Sequence, residues 1–149
     1  MATQRNNPYG AFNFLVSLGN GSETSVIAGF SDVSGLGSEI NYSEYRNGNE
    51  FVNTVRKVAN TFKQEDVTLK RGLIGSTDLF QWVKEVRDGA DGRRTVTITV
   101  LDEARNQVAS FKLVNAQPKK WVGPTLAAKG GGEVAMEELH LTHEGITYE

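Results

Sequence analysis

Thr95-Val96-Thr97-Ile98-Thr99-Val100 alternates threonine with β-branched apolar residues, the pattern of a strand with one face buried. The turn-rich Asp88-Gly89-Ala90-Asp91-Gly92 precedes it, and Glu103 to Asn106 makes a short connection after it. Val108 to Val114 then returns with Ala109, Phe111 and Leu113 on one face and Ser110 and Lys112 on the other, which predicts an antiparallel hairpin.

Similar runs lie on both sides of this hairpin. Phe12, Phe14, Val16 and Leu18 recur at spacing two before the turn Gly19-Asn20-Gly21-Ser22. Val26 to Val33 reads as a second strand, ended by Ser34-Gly35-Leu36-Gly37. Lys119 to Ala127 and Val134 to Thr142 complete the strands, separated by Lys129-Gly130-Gly131-Gly132. One helix is expected after Gly75-Ser76-Thr77, where a hydroxyl can cap and Asp78 suits the positive end of the dipole. Leu79, Trp82, Val83 and Val86 form its single apolar stripe, and Trp82 reads as core. Six or more strands, one helix and short turns predict a mainly β fold, an antiparallel sandwich or barrel with one flanking helix.

Composition narrows the function classes. At 149 residues the chain is expected to be a single domain, residues 1–149, burying roughly two-thirds of its unfolded surface. A net charge of −2 gives no field for holding nucleic acid, so no stable nucleic-acid binding is expected. The pairs Arg56-Lys57, Lys70-Arg71, Arg93-Arg94 and Lys119-Lys120 read as solvated strand and turn ends. With no cysteine, stability must come from packing and hydrogen bonds. Met1 to Tyr9 does not read as a secretory signal, no run is long enough for a membrane anchor, and synthesis in the bacterial cytoplasm is expected. The sequons at Asn20 and Asn41 then read as turn residues.

Residues 43–63 are polar and too long for an ordinary connection, yet carry more apolar residues than a disordered loop usually has. Tyr45, Phe51, Val55, Val58 and Phe62 supply an unpartnered apolar face, which makes the segment a candidate inter-subunit arm. Spacings of four, three and four from Phe51 to Phe62 suggest a short helix, whereas Asn47-Gly48 suggests a hairpin tip, and the pattern leaves both open.

No motif for catalysis emerges. His140 and His143 have the order HxxHE in a strand-like run, where they point to opposite faces, so neither HExxH nor HxxEH geometry is available for a zinc hydrolase. Glu137 and Glu138 likewise point apart and do not make a facing carboxylate pair. Gly35-Leu36-Gly37 and Lys129-Gly130-Gly131-Gly132 lack the rest of a nucleotide fingerprint. No catalytic, metal or cofactor residue is assigned, and the chain is expected not to be an enzyme.

Several segments together resemble one family. Val33-Ser34-Gly35-Leu36, Glu44-Tyr45-Arg46-Asn47-Gly48, Val67-Thr68-Leu69-Lys70-Arg71-Gly72, Val114-Asn115-Ala116-Gln117-Pro118-Lys119-Lys120-Trp121 and the ending from Glu133 to Gly145 are similar, in order and spacing, to tail tube proteins of contractile phages and phage-tail-like injection systems. The resemblance covers about Phe12 to Gly145. The matching positions include Lys70, Arg71, Gly72, Asn115, Ala116, Pro118, Glu137, His143, Glu144 and Gly145. It implies an inner-tube subunit that forms hexameric rings stacked around a lumen. Contractile sheath, baseplate and cap proteins would be its partners, and protein toxin or DNA its transient cargo. Its place would be within a phage tail or tail-like particle, released or surface-associated. By position, 38–45 and 63–71 correspond to the family's inter-subunit hairpin strands and 47–60 to the loop between them, with Ala59-Asn60 where relatives often have Pro-Gly. Thr68 and Lys70, alternating with Val67 and Leu69, are then candidates to face the lumen. The competing readings are a monomeric ligand- or carbohydrate-binding β-barrel and, less favoured, a metal-dependent hydrolase using His140 and His143.

Overall fold

In the computed structural model, which describes residues 2–19, 27, 28, 30–46, 48, 55–73, 75, 77–130 and 134–149, the expected hairpin is the centre of the molecule. Its strands, β7 (Arg94–Leu101) and β8 (Gln107–Val122), pair antiparallel from Arg94↔Ala116 to Leu101↔Gln107. The other strands are β1 (Phe14–Ser17), β2 (Ile27–Ala28), β3 (Asp32–Ser34), β4 (Ser38–Tyr45), β5 (Arg56–Gln64), β6 (Val67–Gly72), β9 (Met136–Thr142) and β10 (Gly145–Tyr148), with one helix, α1 (Asp78–Arg87). Eight strands form one wrapped antiparallel sheet in the order β2-β1-β7-β8-β9-β6-β3, β10 adding to β8, while β4 and β5 form a separate pair. The mainly β, antiparallel architecture with one flanking helix is as expected.

The long strand β8 joins the two halves. Up to Ala116 it pairs with β7, and from Gln117 onward it pairs with β9. The change of partner coincides with Asn115, whose φ of 49° lies in the left-handed region that Asn tolerates better than most residues. Asn115 Nδ2 donates to Glu144 Oε2 at 2.7 Å and the Glu144 N–H donates to the Val114 carbonyl at 2.9 Å, fixing the bend to the β9–β10 turn. Pro118, which cannot donate to a ladder, sits beside a register shift.

The core lies inside this wrap. Val67, Leu69, Leu139 and Leu141 come from β6 and β9, Val96, Ile98 and Leu113 from β7 and β8, and Leu79 and Trp82 from α1. The Trp82 indole N–H donates to the Gly92 carbonyl at 2.7 Å, which satisfies its one polar group. On the same inward faces, Arg71 and Glu137 stand opposite each other, each only 3% exposed. Arg71 donates to both Glu137 and Asp78, and the Trp121 indole donates to Glu137 at 3.2 Å. Desolvation opposes the Arg71 charge, but the hydrogen bonds to Asp78 and Glu137 outweigh it and hold its pKa above the ordinary value.

Several local expectations are corrected. Val108–Val114 and Lys119–Ala127 are not two strands: β8 runs unbroken and ends at Val122, because the bend at Asn115 and the shift at Pro118 redirect the ladder without ending it. Val26–Val33 is not one strand but contributes to β2 and β3, which lie at opposite ends of the sheet order. Phe12 is 72% exposed because it lies in the turn before β1, where strand alternation does not apply. Thr77 provides no side-chain cap, and Asp78 is turned to Arg71. β10 had no sequence counterpart. Gly19-Asn20-Gly21-Ser22, Val26, Ser76 and Gly131-Gly132-Glu133 fall wholly or partly outside the described residues.

Removing one member of the buried charge cluster should leave another unpaired. Glu137→Ala is expected to destabilise the chain by about 3 kcal/mol, whereas the double change Arg71→Met with Glu137→Leu should restore most of that loss, since a buried ion pair is replaceable by apolar packing. Urea unfolding of the single and double variants measures both.

Candidate assembly site

β4 and β5 stand apart from the body as an arm. All eight residues of β4 and all of β5 except Gln64 are exposed, so neither face of this pair is covered by the subunit. The hydrogen-bond register sets the second arm strand at Arg56–Gln64. This corrects the assignment of 63–71 to that role: β6 belongs to the body, where β3 and β9 flank it.

Pairing runs Ser38↔Gln64, Glu39↔Lys63 and Ile40↔Phe62, then shifts, and resumes as Tyr42↔Ala59, Ser43↔Val58, Glu44↔Lys57 and Tyr45↔Arg56. The shift leaves Asn60 as the extra residue of a bulge, within the Ala59-Asn60 step. Asn41 Nδ2 donates to Thr61 Oγ1 at 3.2 Å and Asn60 Nδ2 to Ser43 Oγ at 2.9 Å, so these four polar side chains share one face. Alternation then puts Ile40, Tyr42, Ala59 and Phe62 on the other. Among the expected arm residues, Phe62 is 70% exposed and Tyr45, Val55 and Val58 are also exposed, while Phe51 and Asn47 lie outside the described residues. Val58 and Phe62 fall on opposite faces because of the bulge, and the short-helix alternative is not adopted by Arg56–Gln64. Ile40 and Tyr42 belong to the apolar face although the sequence pattern did not single them out.

The arm is rooted tightly. Gly35 has a φ of 86°, and a Cβ there would collide with the Asp66 carbonyl, so only glycine suits the bend from β3 toward β4. On the other side His143 Nε2 donates to the Glu65 carbonyl at 2.9 Å, and Lys119 pairs with Asp66 at 2.6 Å.

The outward face of β3, β6, β9 and the second half of β8 is polar. Across it Ser34, Thr68, His140 and Lys120 align in one row and Asp32, Lys70, Glu138 and the apolar Val122 in the next. Thr68 Oγ1 lies 3.1 Å from His140 Nδ1, and Lys70 Nζ lies 3.3 Å from Glu138. The hydrogen bond from Lys70 holds the Glu138 carboxyl below the usual carboxylate range.

The family-motif positions thus separate into groups. Asn115, Ala116, Pro118, Glu144 and Gly145 shape the β8 bend and the turn beneath it, Arg71 and Glu137 form the buried charge cluster, and His143 holds the arm root. Lys70 is on the polar face and Gly72 ends β6 opposite Met136. His140 and His143 are engaged separately, and no group of three metal-ligating side chains is present among the described residues. Among the same residues, no helix is long and apolar enough to cross a membrane.

Among solved structures, the chain is similar to one in the extended sheath–tube complex of an extracellular contractile injection system (PVC), with 24% identity, 95% of this chain and 91% of that chain covered, and a TM-score of 0.82. A chain of the six-fold symmetrised anti-feeding prophage (AFP) baseplate gives 24% identity, 97% coverage of both and a TM-score of 0.85. Hcp1 from Flavobacterium johnsoniae is more distant, with 13% identity, 92% and 94% coverage and a TM-score of 0.58. At these identities the likeness speaks for the fold. No curated protein matches the chain significantly. The profile of the family described as T4-like virus tail tube protein gp19 matches residues 10–147, nearly the whole chain, and the chain belongs to that family.

Proposed function

We propose that the chain is the structural inner-tube subunit of a contractile, phage-tail-like injection apparatus, assembling as hexameric rings that stack around a lumen conducting cargo. The observation that carries this reading is the arm: a strand pair open to solvent on both faces, with an apolar side and two outer edges that pair with no other strand among the described residues. Such edges need a partner or they invite uncontrolled pairing, and a second copy provides one. Family membership and the six-fold symmetry of the AFP baseplate that holds one of the similar chains support the ring. Sheath, baseplate and cap proteins are the partners by analogy with the sheath–tube complex, baseplate and tube-terminating cap in which similar chains occur. The role is mechanical, without catalysis, and the cargo passes transiently. The chain is made in the bacterial cytoplasm and matures within the particle. A monomeric ligand-binding barrel would be expected to keep its arm against its own body.

Substituting Ile40→Asp and Phe62→Asp together puts two charges on the apolar arm face without touching the core. Sedimentation velocity should show large assemblies for the unsubstituted chain and a shift to single subunits for this variant, with unchanged circular dichroism. Assemblies of undiminished size would count against the arm.

Thr68 and Lys70 face the lumen in this reading, supported by the mostly polar, mixed-charge rows around them. Thr68→Cys or Lys70→Cys in assembled tubes should react with a small maleimide and resist one carrying a bulky polymer, while dissociated subunits react with both. Equal reaction with the bulky reagent in tubes would remove these residues from the lumen.

A further inference from the structure

Both strands of the arm return to one residue at the root. The Glu65 N–H donates to the Gly37 carbonyl at 3.4 Å, just before β4, and the Glu65 carbonyl, just after β5, accepts from His143 Nε2 at 2.9 Å. A carbonyl can only accept, so Nε2 carries the proton. His143 is 8% exposed, and its other ring nitrogen, Nδ1, is buried with no hydrogen-bond partner among the described residues. Gln64 Oε1, a second buried acceptor without a partner, is not bonded to it. The site therefore fits the neutral imidazole with its proton on Nε2, because a second proton would create a buried N–H with no acceptor in reach.

We infer that His143 is the positioning residue of the arm and holds it only while the imidazole is neutral, so that acid loosens the root. The inference rests on the tube reading. The nine residues of β5 span about 30 Å at roughly 3.3 Å per residue, so a turn of about ten degrees at Glu65 carries the far end of the arm about 5 Å, the distance between neighbouring strands. A strand edge displaced by that much no longer meets the partner it was aimed at. The charged groups on the strands that meet at the root are Glu65, Asp66 paired with Lys119 at 2.6 Å, Glu144 held by Asn115, and, further along the arm, Glu39 opposite Lys63. The four carboxylates favour an imidazolium, but all four residues are exposed and act through water, whereas the missing acceptor and the lost hydration act on the buried ring itself. Burial decides the sign: the attached root binds fewer protons than a released one, so attachment is full at the alkaline end of the histidine range and is lost as the pH falls.

Histidine is the side chain that ordinarily titrates between about pH 5 and 8, and the chain has two, His140 and His143, so a substitution at each separates them. With no native cysteine, Val58→Cys places a single fluorophore on the exposed arm. In dilute, unassembled subunits the anisotropy of that label should fall as the pH is lowered from about 8 to about 5. His143→Gln, whose amide N–H can replace Nε2 without titrating, should hold it level, and His140→Gln should leave the fall unchanged. At assembling concentration, sedimentation velocity should show a several-fold loss of assemblies over the same range, absent from His143→Gln. Nitrogen-15 spectra near neutral pH should place the His143 proton on Nε2. If His143→Gln fails to fold by circular dichroism, the fall in the unsubstituted chain must track the His143 ring signals; tracking those of His140 overturns the inference. A folded His143→Gln that loses anisotropy or assemblies as the parent does, a parent that loses neither, or a His143 proton on Nδ1 also overturns it and leaves the tube reading intact. An unsubstituted chain that forms no assemblies at any pH overturns the tube reading, while the anisotropy series still decides whether His143 holds the arm.

Discussion

Backbone N–H and C=O groups along a strand edge must pair with protein or with water, and among the described residues β4 and β5 pair only with each other. A lone two-stranded ribbon with no cover on either face is marginal in water. This one persists as a defined register because its root is locked into the body and its bulge is bridged by Asn41–Thr61 and Asn60–Ser43 hydrogen bonds. Backbone pairing supplies the adhesion in the proposed assembly, and side chains decide which faces meet. The apolar side formed by Ile40, Tyr42, Ala59 and Phe62 seeks protein, while the opposite side carries Asn41, Ser43, Asn60 and Thr61 together with Val58 and Tyr45.

The body is arranged around that root. β8 serves both halves of the sheet by bending at Asn115, and the same bend holds the β9–β10 turn through Glu144. His143, in that turn, reaches the Glu65 carbonyl and so ties the C-terminal strands to the arm root. At the far end Arg71, Glu137, Asp78 and Trp121 tie β6, β9, α1 and β8 together. Both ends of the sheet are thereby tied to neighbouring elements.

Much of this was legible in the residues. Thr95–Val100 announced a strand because only one of its faces meets the core, and α1 was visible through its single stripe. The arm was recognised as a misfit, yet its second strand was misplaced. The spacings of three and four that separate Val55, Val58 and Phe62 imitate a helix, whereas in the strand the extra residue at Asn60 leaves Val58 and Phe62 on opposite faces. The unity of β8 was hidden because Asn115 and Pro118 read as breaks, although the ladder absorbs both. Reading Lys70-Arg71 as a solvated pair is wrong for Arg71, which is only 3% exposed. Arg71 shares the inward parity of Val67 and Leu69, and Glu137 that of Leu139 and Leu141, so the burial of each charge was readable. Their pairing was not, because 66 residues separate them and no local pattern specifies that β6 meets β9.

The central claim is that these edges are completed by other copies of the same chain in a closed ring. Negative-stain electron microscopy of the purified, unsubstituted protein across a concentration series tests it most directly. The account predicts six-fold rings with an open centre that stack into tubes as concentration rises. Uniform single subunits at every concentration would contradict it.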